Sequence, residues 1–177
     1  ILATDAKRLP RLVAKLTPAQ RRWVDGSHFE GRPFTHCTVP DGKGEVALVL
    51  AGVRDGDDPW ALAHLPLKLA PGRYELGKGP VTLAPDKAAF AWALGSYQYT
   101  RYKKARRKPA SLQLDPSAKV SEALGLAEAV KLVRDLVNTP AEDMGPEQLS
   151  DIVREQAELF GAEFDEWVGD ELLAQNF

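Results

Sequence analysis

The sequence is poor in the residues that cross-link secreted proteins or ligate metals. Its 177 residues include a single cysteine, Cys37, and three histidines. One cysteine excludes an internal disulfide framework and is typical of a protein kept in a reducing compartment. The histidines share no metal-ligand spacing with one another or with the cysteine, so no zinc site is predicted. They are His28, His36 and His64.

The lone cysteine is not a convincing nucleophile. Cys37 directly follows His36 in a segment, FTHCTV, that we expect to be extended. Adjacent side chains on a strand point to opposite faces, so His36 is badly placed to act as a base for the thiol. A buried thiol is the interpretation we adopt.

Long apolar runs and a secretory signal are also missing. No segment approaches the ~18 apolar residues that a membrane span needs. The first residues, ILATDAKRLPRLV, lack a basic region followed by an apolar core. An apolar share of 44% with 27% charged residues is ordinary for a globular chain. We therefore expect a cytoplasmic protein with no membrane partner.

A net charge of −2 conceals an uneven distribution of charge. Residues 1–120 carry 20 Lys and Arg against 11 Asp and Glu, whereas residues 121–177 carry 3 against 14. Two units with different surroundings are predicted from this difference.

The first of these regions has the pattern of an α/β fold. Glu45–Val53 (EVALVLAGV) is a nearly continuous apolar run, which predicts a strand buried on both faces. Thr17-Pro18-Ala19-Gln20 has the signature of a capping box and predicts a helix start. The remaining predicted elements are an edge strand or arm over Ile1–Val13, a helix from Asp57-Asp58-Pro59 through Leu65, strands at Tyr74–Leu76 and Val81–Leu83, and a helix capped by Asp86.

Helical periodicity dominates the second region. Ser121–Asn138 has one narrow polar stripe, so we expect a helix that is buried on most sides and acts as a spacer between packed units. Pro146–Phe160 is predicted to be an amphipathic helix ended by Gly161. Beyond it we expect a strand over Ala162–Val168 and a short helix over Asp170–Ala174.

Two motifs resemble functional sites but have simpler explanations. Gly72–Lys78 fits G-x-x-x-x-G-K, yet it lacks the following Ser or Thr and the helix that a phosphate loop requires. We interpret it as a glycine turn between strands. The carboxylates Glu147, Asp151 and Glu155 recur every four residues, which predicts a solvated helix face and no metal site.

One segment has the composition of a nucleic-acid contact. Residues 101–108 (RYKKARRK) hold six basic side chains, which attract phosphates without sequence specificity, and nearby tyrosines are able to stack on bases. The alternative is a solvated helix end whose cations complement the helix dipole. The candidate contacts are Arg101, Lys103, Lys104, Arg106, Arg107 and Lys108.

The stretch RDLVNTPAEDMGPEQL resembles the leucyl (cytosol) aminopeptidase family. Arg134–Pro146 is similar to the family's junction, R-D-L-x-N-x-P-A-x-x-M-x-P. A weaker pattern, Gly-x-Tyr-x-x-x-x-Tyr-Lys, matches at Gly95, Tyr97, Tyr102 and Lys103. The resemblance implies an α/β fold in which a small macro-domain-like N-terminal domain, with a mixed sheet flanked by helices, is followed by a long linker helix and an incomplete α/β second domain.

The resemblance also implies a boundary for each part of the chain. We assign residues 1–118 to the N-terminal domain, 119–140 to the linker helix and 141–177 to the beginning of the catalytic domain. Macro-like domains elsewhere bind nucleotides, so a module that binds nucleic acid or nucleotide through residues 101–108 is the alternative function.

In activity, the resemblance implies a parent aminopeptidase that removes N-terminal residues from peptides with two divalent metal ions, manganese or zinc. The family's metal motifs, of the VGKGxTFDSGG and NTDAEGR types, do not occur in these 177 residues. No catalytic or metal-binding residue is therefore assigned, and we expect this chain alone to be inactive. Its expected role is assembly, as part of a homohexamer or paired with a catalytic fragment, and control of access to the active site.

Overall fold

The computed structural model describes residues 1–116 and 118–177 of the chain. Spatial contacts divide it into two compact units, Ile1–Lys131 and Leu132–Phe177. The boundary falls inside a continuous helix, so the three-part division at residues 118 and 140 stays a prediction.

The first unit is built on a three-stranded mixed sheet. Its strands are β1 (Leu2–Thr4), β2 (His36–Pro40) and β3 (Val46–Gly52), in the order β1-β3-β2. β1 runs parallel to β3 and β2 runs antiparallel to it. The apolar run predicted to be a buried strand is thus the central strand.

A second, two-stranded sheet continues the first. It contains β4 (Arg73–Glu75) and β5 (Ser111–Gln113), which are parallel to each other. The N–H of Ile1 donates to the Glu75 carbonyl at 2.5 Å, and the N–H of Gly77 donates back to the Ile1 carbonyl at 2.8 Å. This exchange is the bonding pattern of a parallel strand pair, so β1, β3, β4 and β5 all run in one direction.

Side chains on β3 alternate between two apolar clusters. Val49 and Ala51 lie in the larger cluster, with Ala88, Ala91 and Trp92 of α3 (Pro85–Gly95). Leu50 lies in the smaller cluster, with Val24 of α2 (Pro18–Gly26). Alternate side chains of a strand point to opposite faces, so the central strand is buried on both sides, as its composition predicts.

The predicted helix start at Thr17 is correct. Thr17 accepts a hydrogen bond from the Gln20 N–H, and the Gln20 side chain accepts one from the Thr17 N–H, so the capping box is confirmed. The predicted cap at Asp86 is wrong. Ala84 is the N-cap of α3, Pro85 follows it, and Asp86 lies within the first turn.

Three other local predictions are wrong in part. Ile1–Val13 contains the strand β1, but Leu9–Val13 forms a short helix, α1. The helix expected after Asp57-Asp58-Pro59 is a series of turns; Pro66 disfavours helical backbone at the residue before it and has no N–H to donate. Val81–Leu83 forms no strand, although the Val81 N–H donates to the Ala3 carbonyl.

The predicted bounds of α4, Ser121–Asn138, are confirmed. The prediction that α4 is buried on most sides is wrong. Among the described residues of this helix only Ala127 is buried, and Val133 and Val137 are exposed. The pattern of apolar residues correctly predicted a helix, whereas burial depends on what other chain segments cover.

The second unit contains helices but no strand among its described residues. α5 spans Pro146–Phe160 and ends at Gly161 in the left-handed conformation, as predicted. A four-residue helix, α6, spans Glu171–Ala174. The strand expected over Ala162–Val168 is absent there. Among the described residues, no helix combines the length and apolar character needed to cross a membrane.

Candidate functional site

An open groove of about 750 Å³ lies beside the carboxyl ends of the parallel strands β4 and β5, and Ile1 and Ala3 line it from the β1 side. Ligands of open α/β sheets commonly bind in crevices at this position. Apolar side chains of Leu76, Val81 and Leu83 share the lining with charged residues of both signs, including Glu75 and Lys78. This mixture of charge selects no single class of ligand.

The G-x-x-x-x-G-K motif borders this groove but is not a phosphate loop. The N–H of Gly77 donates to the Ile1 carbonyl, and that of Gly79 donates to the Gly77 carbonyl. Those two amides are therefore unavailable to a phosphate, and no helix begins directly after Lys78. A Cβ at Gly79 would lie 2.6 Å from the Ala3 carbonyl oxygen, so this glycine is needed for close approach to β1.

The fold brings the three histidines into one region, although they are far apart in sequence. The rings of His36 and His64 have centroids 5.7 Å apart, and His28 and His36 line one pocket of about 260 Å³. The pKa of His64 is lowered to about 4, mainly by burial and to a lesser extent by repulsion from neighbouring His36 and Lys68. Burial likewise lowers the pKa of His36, with a smaller contribution from Lys68. Both imidazoles are thus kept neutral near pH 7.

Backbone strain accompanies this histidine region. His28 and Phe34 adopt positive φ angles of 53° and 63°, which side chains other than glycine rarely adopt. Phe34 meets the His64 ring edge-on at 6.2 Å between centroids. The Nε2 of His64 lies 3.3 Å from the Thr35 carbonyl, while its buried Nδ1 has no hydrogen-bond partner.

Cys37 is buried, as predicted, with its Sγ 3.2 Å from the Ser27 hydroxyl. It belongs to the smaller apolar cluster, with Val39 and Leu50. A hydroxyl and apolar neighbours do not activate a thiol, so the Cys37 environment is structural.

The basic segment has an irregular backbone and lies beyond the end of α3 at Gly95. The alternative of a helix end is therefore wrong. Arg107 has a structural role, because its guanidinium donates to the carbonyls of Leu67 and Leu69 at 3.0 and 2.7 Å. The Gln98 side chain accepts hydrogen bonds from the N–H groups of Arg106 and Arg107.

Aromatic residues near this segment contact one another. Tyr99 and Tyr102 meet edge-on at 5.9 Å between ring centroids, and the Arg101 guanidinium lies 5.7 Å from the Tyr102 centroid. Lys103, Lys104 and Lys108 are exposed. Contact between this segment and nucleic acid stays a prediction.

The predicted carboxylate face on α5 is charged but forms no metal centre. Asp151 pairs with Arg154 at 2.6 Å, and Arg154 also pairs with Glu166 at 2.8 Å. Within residues 1–116 and 118–177, no three His, Cys, Asp or Glu side chains are placed to hold a metal ion together.

Sequence reasoning missed both the groove and the histidine pair. Each is assembled from residues distant in sequence, and only the β4–Gly77 turn gave any signal, which we interpreted as structural. The first unit is therefore a mixed α/β domain.

The chain belongs to the M17 aminopeptidase family: the model of that family's N-terminal domain matches residues 3–115. A probable cytosol aminopeptidase of Corynebacterium diphtheriae is 36% identical over 84 residues, covering 42% of this chain and 17% of that protein. The family-model match over residues 3–115 extends the resemblance to the first unit.

Solved structures extend the similarity to the second unit. Cytosol aminopeptidase from Coxiella burnetii matches with a TM-score of 0.86 and 31% identity, over 98% of this chain and 38% of that one. The bottromycin maturation enzyme BotP, solved in complex with Mn, matches with a TM-score of 0.69 and 25% identity, over 85% of this chain and 36% of that one. A tomato leucine aminopeptidase mutant, 19% identical with a TM-score of 0.59, shares the fold. The chain spans less than two fifths of the length of each of these proteins.

Proposed function

We propose that these 177 residues are the N-terminal part of a metal-dependent leucyl-type aminopeptidase that removes N-terminal amino acids from peptides. The observation that carries the proposal is the match of 98% of this chain to 38% of a cytosol aminopeptidase, at a TM-score of 0.86. A family model for an N-terminal domain covers residues 3–115, so the unmatched part of such a relative follows the matched part.

The chemistry is assigned to the rest of the parent enzyme. The described residues contain no group of three metal-ligating side chains, and neither family metal motif occurs in the sequence. Two divalent ions, manganese or zinc, would then be held outside residues 1–177. One relative, BotP, is known in complex with Mn, which supports a metal in the parent.

Assembly and control of access are the roles we assign to this part. The first unit has a buried core of its own, and its groove and histidine region lack a nucleophile paired with a base. We therefore assign this domain a role in contacts with other parts of the parent enzyme. A cytoplasmic homohexamer is the form we propose for the parent, and the name of the C. diphtheriae relative supports the location.

The test compares the parent with the 177-residue chain. Both are purified without metal, and hydrolysis of leucine p-nitroanilide is followed after addition of Mn²⁺ or Zn²⁺. We expect turnover by the parent and none by the chain alone, because the chain lacks the metal-binding motifs.

Two results would contradict separate parts of the proposal. Metal-dependent turnover by the 177-residue chain would disprove that the chemistry lies elsewhere. A folded, metal-loaded parent that leaves aminoacyl substrates intact would disprove the aminopeptidase assignment. Light scattering on the parent tests the hexamer independently.

A further inference from the structure

Two imidazoles of the first unit lie at a separation suited to a shared ion. His36 begins β2, and His64 lies in the series of turns that follows Asp58. Their ring centroids are 5.7 Å apart. With metal–nitrogen bonds of about 2.0–2.1 Å, two imidazoles on one ion have centroids about 5–6.5 Å apart, for angles at the metal from tetrahedral to linear. The observed separation falls within this range.

The hydrogen bonding of His64 leaves one of its nitrogens available for coordination. Its Nε2 lies 3.3 Å from the Thr35 carbonyl, which only accepts, so Nε2 carries the proton and Nδ1 keeps its lone pair. That Nδ1 is buried without a hydrogen-bond partner among the described residues, which is unfavourable for a polar atom. Histidines that bind metals commonly donate their other N–H to a backbone carbonyl in the same way.

The pocket of about 260 Å³ gives an ion a route to this pair, because His36 is part of its lining. Ser27 and His28, which directly follow α2, line the pocket as well, so the negative end of that helix dipole favours a cation there. His36 is half-buried and its terminal torsion is soft, so its ring can turn a nitrogen toward His64. Lys68 acts in the opposite direction, because it repels positive charge on both imidazoles.

A purely structural pair is the competing explanation. Phe34 meets the His64 ring edge-on, as rings do in a packed aromatic cluster. Packing accounts for the position of the ring, but it leaves the buried Nδ1 without a partner. Metal coordination accounts for both the ring position and the free nitrogen.

We propose that His36 and His64 form a binding site for one divalent transition-metal ion, with water completing its coordination. Imidazole ligands suit zinc, copper and nickel, whereas magnesium and calcium prefer oxygen, and copper should bind most tightly. A site with two protein ligands differs from the three-ligand centre that is absent from residues 1–116 and 118–177. This ion is additional to the two that we assign to the rest of the parent.

Copper titration of the 177-residue chain tests the site. Electron paramagnetic resonance of the first equivalent of Cu²⁺ reports the nitrogen ligands, and we expect two imidazoles. In isothermal titration calorimetry, His36→Gln and His64→Gln should each weaken the binding of Cu²⁺ by about tenfold or more, because each removes a ligand. The matched control is His28→Gln, which removes the remaining histidine of the pocket and should leave the affinity unchanged.

Lys68→Gln gives a result that a folding defect cannot imitate. Lys68 is exposed, and its charge opposes a cation at the pair. Its removal should tighten the binding of Cu²⁺ by about twofold or more at low salt. Unchanged or weaker binding in this variant would contradict a metal held beside Lys68.

Each remaining result supports or overturns the site. A single nitrogen ligand in the spectrum overturns it, and so does a loss of affinity in His28→Gln alone. NMR of the histidine side chains during Zn²⁺ titration of the unsubstituted chain decides the question without any variant. Joint shifts of His36 and His64 support the site, and shifts of His28 alone overturn it. Hydrolysis of aminoacyl substrates plays no part in these measurements, so failure of this inference and failure of the proposed function are distinguishable.

Discussion

The two units of this chain bury their apolar residues very differently. In the first, β3 is covered on both faces and Leu50, Leu62 and Leu65 are fully buried. In the second, α5 has distinct apolar and charged faces, yet none of its apolar residues is buried.

A strongly amphipathic sequence is therefore not the same as a buried one. Periodicity records which face of a helix is suited to burial, whereas burial itself requires a second surface. The first unit supplies both surfaces from its own residues.

Truncation of one leucine in each unit should give the largest contrast. Leu50→Ala removes a fully buried side chain from the central strand and should lower the free energy of unfolding by about 2–5 kcal/mol. Leu149→Ala truncates an exposed side chain of α5 and should change the free energy of unfolding by less than about 0.5 kcal/mol. Urea denaturation of the 177-residue chain measures both. Similar losses for the two variants would break the comparison.

A pair of glycine substitutions sharpens the contrast between close packing and open space. At Gly95 a Cβ would lie 2.0 Å from the Ala63 carbonyl oxygen, so Gly95→Ala should destabilise by about 1–3 kcal/mol. At Gly125, inside α4, nothing lies within 4 Å of the added atom, so Gly125→Ala should stabilise by about 0.5–1 kcal/mol. Thermal unfolding should shift in opposite directions, and a shared direction would refute the packing at Gly95.

The histidine pair should make the first unit sensitive to acid. The folded pKa of His64, about 4, lies below the unfolded value of about 6.5, so the unfolded chain binds the proton first as pH falls. The contribution of neutral His64 to the free energy of unfolding is fully present above about pH 6.5 and is lost as the pH decreases toward 4. His64→Gln should reduce this loss, measured as the change in urea midpoint between pH 7 and pH 5. An unaltered pH dependence would exclude His64 as its source.

The smallest effect is expected within the basic segment. Arg107→Ala removes two hydrogen bonds to the carbonyls of Leu67 and Leu69 and should cost about 1 kcal/mol. Lys104→Ala removes an exposed side chain and should stay within about 0.5 kcal/mol. Urea midpoints of the two variants should therefore differ. Binding of both to duplex DNA at low salt shows whether Lys104 contributes to a phosphate contact.

Predictions from the sequence succeeded where short-range contacts decide the structure. The capping box at Thr17, the bounds of α4 and α5, and the left-handed Gly161 each depend on residues within about one helical turn. The cap at Asp86 failed because Pro85, one residue earlier, occupies the first helical position and moves the N-cap to Ala84.

Other failures came from contacts that no local pattern contains. Val81–Leu83 has the composition of a strand, but only Val81 is shown bonding to β1, through Ala3. Arg107 looked like one of six interchangeable cations until the fold placed the carbonyls of Leu67 and Leu69 beside it.

The sequence by itself determined helices α2, α4 and α5, the central buried strand and, through the junction Arg134–Pro146, the family resemblance, because these depend on neighbours along the chain. Tertiary structure alone decided that His36 meets His64, that β1 joins β4 beside a groove, and that Leu149, Val153 and Phe160 of α5 are exposed. Contacts of this kind join residues tens of positions apart, and which of them form depends on how all the elements pack together.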